Sequence, residues 1–80
     1  MRFMNDYELL FRKALKNLRN ERVLTQEELA HSANINAKHY GRIERGESSP
    51  TMNFFFLICN ALDIKPDAFF KFMFEQEENE

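Results

Sequence analysis

Between residues 6 and 22 apolar residues fall at Tyr7, Leu10, Phe11, Ala14, Leu15 and Leu18, and apart from Leu9 the gaps are polar. That spacing is one helical face, and it predicts a first helix over about 6–22. Asp6 suits its N-cap, accepting from the free amides of the first turn, and Arg19 and Arg22 suit the negative end of its dipole. Val23 and Leu24 separate it from a second helix that opens on Thr25, with Glu28 three residues on. This is a capping box, in which each side chain satisfies the other residue's backbone amide. Leu29, Ala30 and Ala33 supply the inner face. A turn follows at Ala33-Asn34-Ile35, where Asn34 tolerates positive φ and Ile35 returns to the core. Asn36 caps a third helix from Ala37 to about Arg45, with Tyr40 and Ile43 inward, Ala37, Lys38, Gly41 and Arg42 outward, and Gly46 as its stop.

The second half continues in helices. Glu47 to Pro50 read as a polar loop, and Thr51 or Ser49 caps a fourth helix over about 51–62. Met52, Phe55, Ile58, Cys59 and Leu62 share its core stripe. Pro66 fits the first position of a fifth helix over about 66–75, with Asp67 favourable at the positive end, before an acidic tail over 75–80 that is expected to fray. No alternating β-branched run signals a strand. The expectation is an all-α, five-helix architecture in a single domain covering 1–80.

Composition narrows the function. An apolar fraction of 44% and a charged fraction of 30% describe a folded globular chain rather than a disordered one. The single cysteine, Cys59, has no intramolecular disulfide partner, and the longest apolar run, Phe54 to Cys59, is far too short to cross a membrane. With no export pattern at the N-terminus, a cytoplasmic location is expected. The net charge of −2 conceals a polarity: residues 1–45 carry nine Lys/Arg and six Asp/Glu, whereas 46–80 carry two and seven. A phosphate responds to the local face, because salt screens charges beyond roughly 8 Å. His31 and His39 have no cysteine or acidic partner at metal-ligand spacing, so no metal and no cofactor are expected. Nor is there a nucleophile beside a histidine or a glycine-rich phosphate loop, and we expect no enzyme.

Thr25 to Gly46, TQEELAHSANINAKHYGRIERG, is thus two short helices joined by a tight turn, the second carrying Lys38, His39, Arg42 and Arg45. Such a pair can seat its second helix in a DNA major groove. The stretch resembles the helix-turn-helix of the lambda-repressor-like DNA-binding domains, the Xre and Cro-like regulators. The likeness extends upstream to Leu15, Leu18 and Arg19, and downstream through SPTMNFFFLICNALDIKPDAFF. Within that family the short members with a fifth helix look most similar, among them controller proteins of restriction-modification systems, which dimerise through their C-terminal helices. The resemblance implies contact with DNA by Gln26, Ala37, Lys38, His39 and Arg42, and a buried ion pair between Arg19 and Glu44; Asn36 and Arg45, at the two ends of the same helix, are expected to join the contact. Val23 stands where the family usually has glycine, Asn34 where glycine is frequent, and Glu47 puts a negative charge just past the recognition helix.

The aromatic excess bears on partners. Phe54, Phe56 and Leu57 lie off the stripe of the fourth helix, and Phe70, Phe72 and Phe74 cannot all face one way. Contiguous apolar surface commonly marks an interface. We therefore expect a homodimer joined through Phe54, Leu57, Phe70, Phe72, Met73 and Phe74, presenting two recognition helices to half-sites about 34 Å apart on double-stranded DNA. The expected function is a transcriptional regulator on a palindromic operator, with no small-molecule ligand. The alternative is a protein-interaction module, such as the antitoxin of a toxin-antitoxin pair, that uses the same fold.

Overall fold

The computed structural model describes residues 6–78, and side chains over 7–76. Five helices follow one another with no strand among the described residues: α1 Asp6–Glu21, α2 Gln26–Ser32, α3 Ala37–Arg45, α4 Met52–Leu62 and α5 Pro66–Glu78. Asp6 is the first residue of α1, and its expected capping side chain lies outside the described residues. α5 continues to Glu78, beyond the point where the acidic tail was expected to fray.

One device ends α1, α2, α3 and α4 alike. A residue in the left-handed region donates its N–H three positions back, and the next residue donates five positions back, closing the free carbonyls of the last turn. The pairs are Val23 to Asn20 with Leu24 to Arg19, Asn34 to His31 with Ile35 to Ala30, Gly46 to Ile43 with Glu47 to Arg42, and Asp63 to Asn60 with Ile64 to Cys59. Glycine fills the left-handed position only once. Val23, Asn34 and Asp63 hold φ of 56°, 60° and 55°. Leu24, Ile35 and Ile64 follow three of these residues and pack against the core, and this contact helps to hold the turn closed.

Val23 is the unfavourable choice, since a left-handed conformation costs an L-residue about 1–2 kcal/mol and a β-branched side chain more than most. Its side chain is 87% exposed, so it recovers little by packing. Val23→Gly removes that strain but adds about 0.5–1 kcal/mol of unfolded-chain entropy. The expected net is roughly 1 kcal/mol of stabilisation, read in thermal melts as a Tm higher by about 4–8 °C.

The core is built around α4, which buries a wider arc than a single stripe. Phe54 stacks on Tyr40 of α3 at 5.9 Å between ring centroids, while Phe55 meets Phe11 of α1 and Phe69 and Phe70 of α5. Aromatic pairs of this kind add to the area they bury. Two residues expected at a dimer interface, Phe54 and Met73, are therefore interior, at 3% and 5% exposure. The reason is that helices cover α4 on two sides, and Met73 follows Phe69 by one turn on the inner side of α5. Leu57 and Phe72 are half-buried and pack against the core, whereas Phe70 and Phe74 are exposed as expected. Met52 and Tyr7, expected inside, are exposed at the starts of α4 and α1.

α1 runs through the whole assembly as a spine. Gln76 of α5 clasps it by donating Nε2 to the Leu10 carbonyl at 2.9 Å and accepting from Asn17 Nδ2 at 2.8 Å. Just beyond its end, Arg22 donates to the Leu62 carbonyl at the end of α4 at 2.8 Å and reaches the Leu18 carbonyl at 3.5 Å. One guanidinium thus ties the end of α4 to the last turn of α1, a more specific role than complementing one dipole.

Candidate nucleic-acid interface

Local sequence sets the angle between α2 and α3. The capping box at Thr25 is complete, with Glu28 N donating to Thr25 Oγ1 at 3.0 Å and Thr25 N to Glu28 Oε1 at 2.9 Å. Asn36 Oδ1 accepts from the amides of Lys38 and His39, at 2.9 and 3.1 Å, so the oxygen of this expected DNA contact is committed to starting α3. Between them, Asn34 turns the chain through its left-handed conformation.

α3 presents three distinct strips. Lys38 and Arg42, one turn apart and exposed, form the crest. Ala37 and Arg45, with Thr25, Gln26, Glu27, Lys38 and Gly41, line an open concavity of about 640 Å³ between the start of α2 and α3. His39 lies on the far side, its ring edge-on to Phe54 at 6.2 Å. Gly41, expected to face out, is buried instead. A Cβ there would come within 2.9 Å of Arg45 Nη1 and 3.3 Å of Gln26 Oε1, so these two side chains lie over the glycine.

Beneath the crest sits a polar cluster centred on Glu44. Its carboxylate accepts from Arg19 Nε at 3.0 Å and Nη2 at 2.8 Å, from Gln26 Nε2 at 2.9 Å, and from the Tyr40 hydroxyl. Arg19 also donates to the Leu24 carbonyl at 2.8 Å. The expected Arg19–Glu44 pair is present, with side chains 11% and 4% exposed. Burial by itself would raise the Glu44 pKa, but hydrogen bonds from Arg19, Tyr40 and Gln26 outweigh it and hold the carboxyl below its usual range. The Arg19 guanidinium is held more firmly protonated by its bond to Glu44, and burial followed by the Glu44 carboxylate pushes the Tyr40 hydroxyl well above its ordinary value. No buried side-chain N or O lacks a partner among the described residues. The cluster therefore joins α1, α2 and α3 around one carboxylate.

Sequence reasoning missed two members of it. Gln26, expected at the DNA backbone, turns its amide nitrogen inward to Glu44, and Tyr40 adds a hydroxyl beyond its apolar packing. Tyr40 and Glu44 are one turn apart on α3, a spacing that makes a hydroxyl–carboxylate bond available.

The sequence matches the helix-turn-helix family over residues 15–69, which spans α2 and α3 and reaches into α1 and α5. The chain belongs to this family of Xre/Cro-like helix-turn-helix proteins. No curated protein matches the sequence. Among solved structures, this helix-turn-helix protein is similar to the wild-type restriction-modification controller protein C.Esp1396I. The two are 26% identical, with a TM-score of 0.82 over 86% of this chain and 88% of the other. A single tyrosine-to-alanine variant of that controller superposes with a TM-score of 0.85 at 25% identity, over 91% and 95% of the two chains. The shared architecture includes the fifth helix, since so much of both chains is covered.

At the C-terminal end of the helix-turn-helix, Arg45 does not stand alone. Its Nε and Nη2 donate to Glu47 Oε2 at 2.9 Å and Oε1 at 3.3 Å, with both side chains about half exposed. No group of three or more His, Cys, Asp or Glu side chains among the described residues is arranged to hold a metal. Cys59 is buried, and that burial pushes its thiol up to about 11, the behaviour of an inert core residue. No described helix is long and apolar enough to cross a membrane.

Proposed function

We propose that this protein is a transcriptional regulator that binds a palindromic operator as a homodimer. The observation that carries the reading is the Lys38–Arg42 crest, exposed on a helix whose underside is locked by the Glu44 cluster. A base-reading helix needs that combination, because side chains reach base edges only if the backbone carrying them holds its angle in the groove. Arg42 can grip guanine through two hydrogen bonds, Lys38 can reach a guanine edge or a phosphate, and Ala37 offers a methyl to thymine. The solved controller protein, which shares the fold at 26% identity, supports a regulatory role of this kind.

The second copy is supported by an apolar surface away from the helix-turn-helix. Exposed Tyr7, Met52 and Phe70 rim a groove of about 280 Å³ where α1, α4 and α5 meet, floored by the buried Phe11, Phe55 and Met73, and Phe56 and Phe74 add exposed aromatic area. A protein antitoxin or adaptor would use the same face on a different chain. Sedimentation separates the readings: a regulator of the proposed kind dimerises alone.

Salt titration tests the DNA reading directly. Affinity for a duplex selected from a random pool is expected to fall steeply and linearly in log salt, as counterion release requires. Arg42→Ala is expected to lose about 1–3 kcal/mol per half-site and to relax preference at one base position, measured by fluorescence anisotropy on single-base operator variants. Binding that ignores salt, or no selected duplex at all, sinks the proposal.

A further inference from the structure

Of the four closing turns, three place an apolar residue after the left-handed position and pack it on the core. The fourth places Glu47 there. Its amide is tied to the Arg42 carbonyl at 2.7 Å and follows Gly46 at φ 85°, so the backbone fixes where the side chain starts. A Cβ on Gly46 would lie 2.6 Å from Arg12 Cζ, so the Arg12 guanidinium lies against that turn. From this anchored position Glu47 takes two donors of Arg45 side by side, the geometry in which a guanidinium also grips a phosphate. Arg42 on the crest is also near enough to help hold the Glu47 carboxylate in its charged form.

We propose that Glu47 is a built-in substitute for DNA phosphate, which occupies Arg45 in the free protein and withholds it from the DNA backbone. The inference rests on the DNA-binding reading and adds a residue that sets its electrostatic strength. An exposed ion pair contributes little to folding. Its effect falls on binding, where Arg45 exchanges a carboxylate for a phosphate and the complex forgoes about one counterion release per protomer.

The test uses one non-operator duplex and three variants, E47Q, R45A and the double mutant, each compared with the wild type across a salt series. E47Q keeps the shape and removes the charge. It is expected to bind about fivefold more tightly per protomer at 0.15 M salt, with a log–log slope steeper by about 0.9, the value of one added phosphate contact. R45A is expected to bind more weakly than wild type, since it loses the phosphate partner and leaves Glu47 uncompensated, and the double mutant is expected to match R45A. An unchanged slope in E47Q overturns the proposal. So does an equal gain from E47Q with and without Arg45, because the carboxylate would then act by general repulsion. No binding by wild type and E47Q alike overturns the DNA reading and this proposal with it, whereas failure of E47Q alone overturns only the proposal.

Discussion

Glu44→Ala is expected to lose about 3–5 kcal/mol of stability, because it leaves the Arg19 guanidinium buried without its counter-charge. In a domain of this size that is a fall in Tm of well over 10 °C, measured by thermal or urea denaturation. The mechanism makes a sharper claim than the magnitude. Replacing both partners by apolar residues, Arg19→Met with Glu44→Leu, is expected to recover most of the loss, since the penalty lies in the stranded charge more than in the lost attraction. The same cluster sets the pH limits. Glu44 is held below its usual value in the fold, so its contribution is complete above the unfolded carboxyl pKa of about 4.3 and is lost as pH falls through the lower, folded value. Tyr40 is raised in the fold, so its contribution is complete below about 10 and declines as the medium becomes more alkaline. A stability profile that loses no ground below pH 4, or a double variant no better than Glu44→Ala, would contradict this account.

Met52→Asp is expected to turn the proposed dimer into a monomer without unfolding it. Met52 is 64% exposed on the rim of the apolar groove and is the first residue of α4, where an acidic side chain suits the helix dipole. The fold should thus tolerate the change, and circular dichroism and Tm should show it. An interface closing over Phe70 and Phe56 would not tolerate it, because it would bury an unpaired carboxylate. Sedimentation equilibrium is expected to give the monomer mass. Operator affinity is expected to drop by roughly 10²–10⁴, the advantage that joining two half-site binders confers. Dimer mass and operator affinity both unchanged would place the interface elsewhere.

Local chemistry made much of this fold legible. Thr25 with Glu28, Asn36 and Gly46 act through backbone groups within three residues or so, and each occupies the role its sequence position implies. The Arg19–Glu44 pair is separated by 25 residues and was readable only through resemblance, while Gln26 and Tyr40 joined it unannounced. Nothing in a one-dimensional pattern says that a glutamine at the start of α2 will lie over a glutamate one helix away. Val23 shows the reverse case, in which local propensity argued against a left-handed turn and the fold imposed it, since α2 must leave α1 at that angle. The aromatic residues were misassigned for a geometric reason. A stripe assumes one neighbour, whereas Phe54 and Phe55 each face a different one.

The clasp of Gln76 on α1 carries a further meaning for operator choice. Along that 16-residue helix, about 24 Å long, Asn17 and the Leu10 carbonyl hold α5, and Arg19 holds the recognition helix. In the proposed dimer a single rod therefore connects each reading head to the symmetry axis, and the pair works as a caliper with a fixed gap. Inserting one base pair between half-sites moves the second by about 3.4 Å and turns it by about 34° around the duplex. A rigid helix bonded to both α5 and the recognition helix has no joint with which to follow that rotation. Operator spacing, as much as operator sequence, is then written into α1.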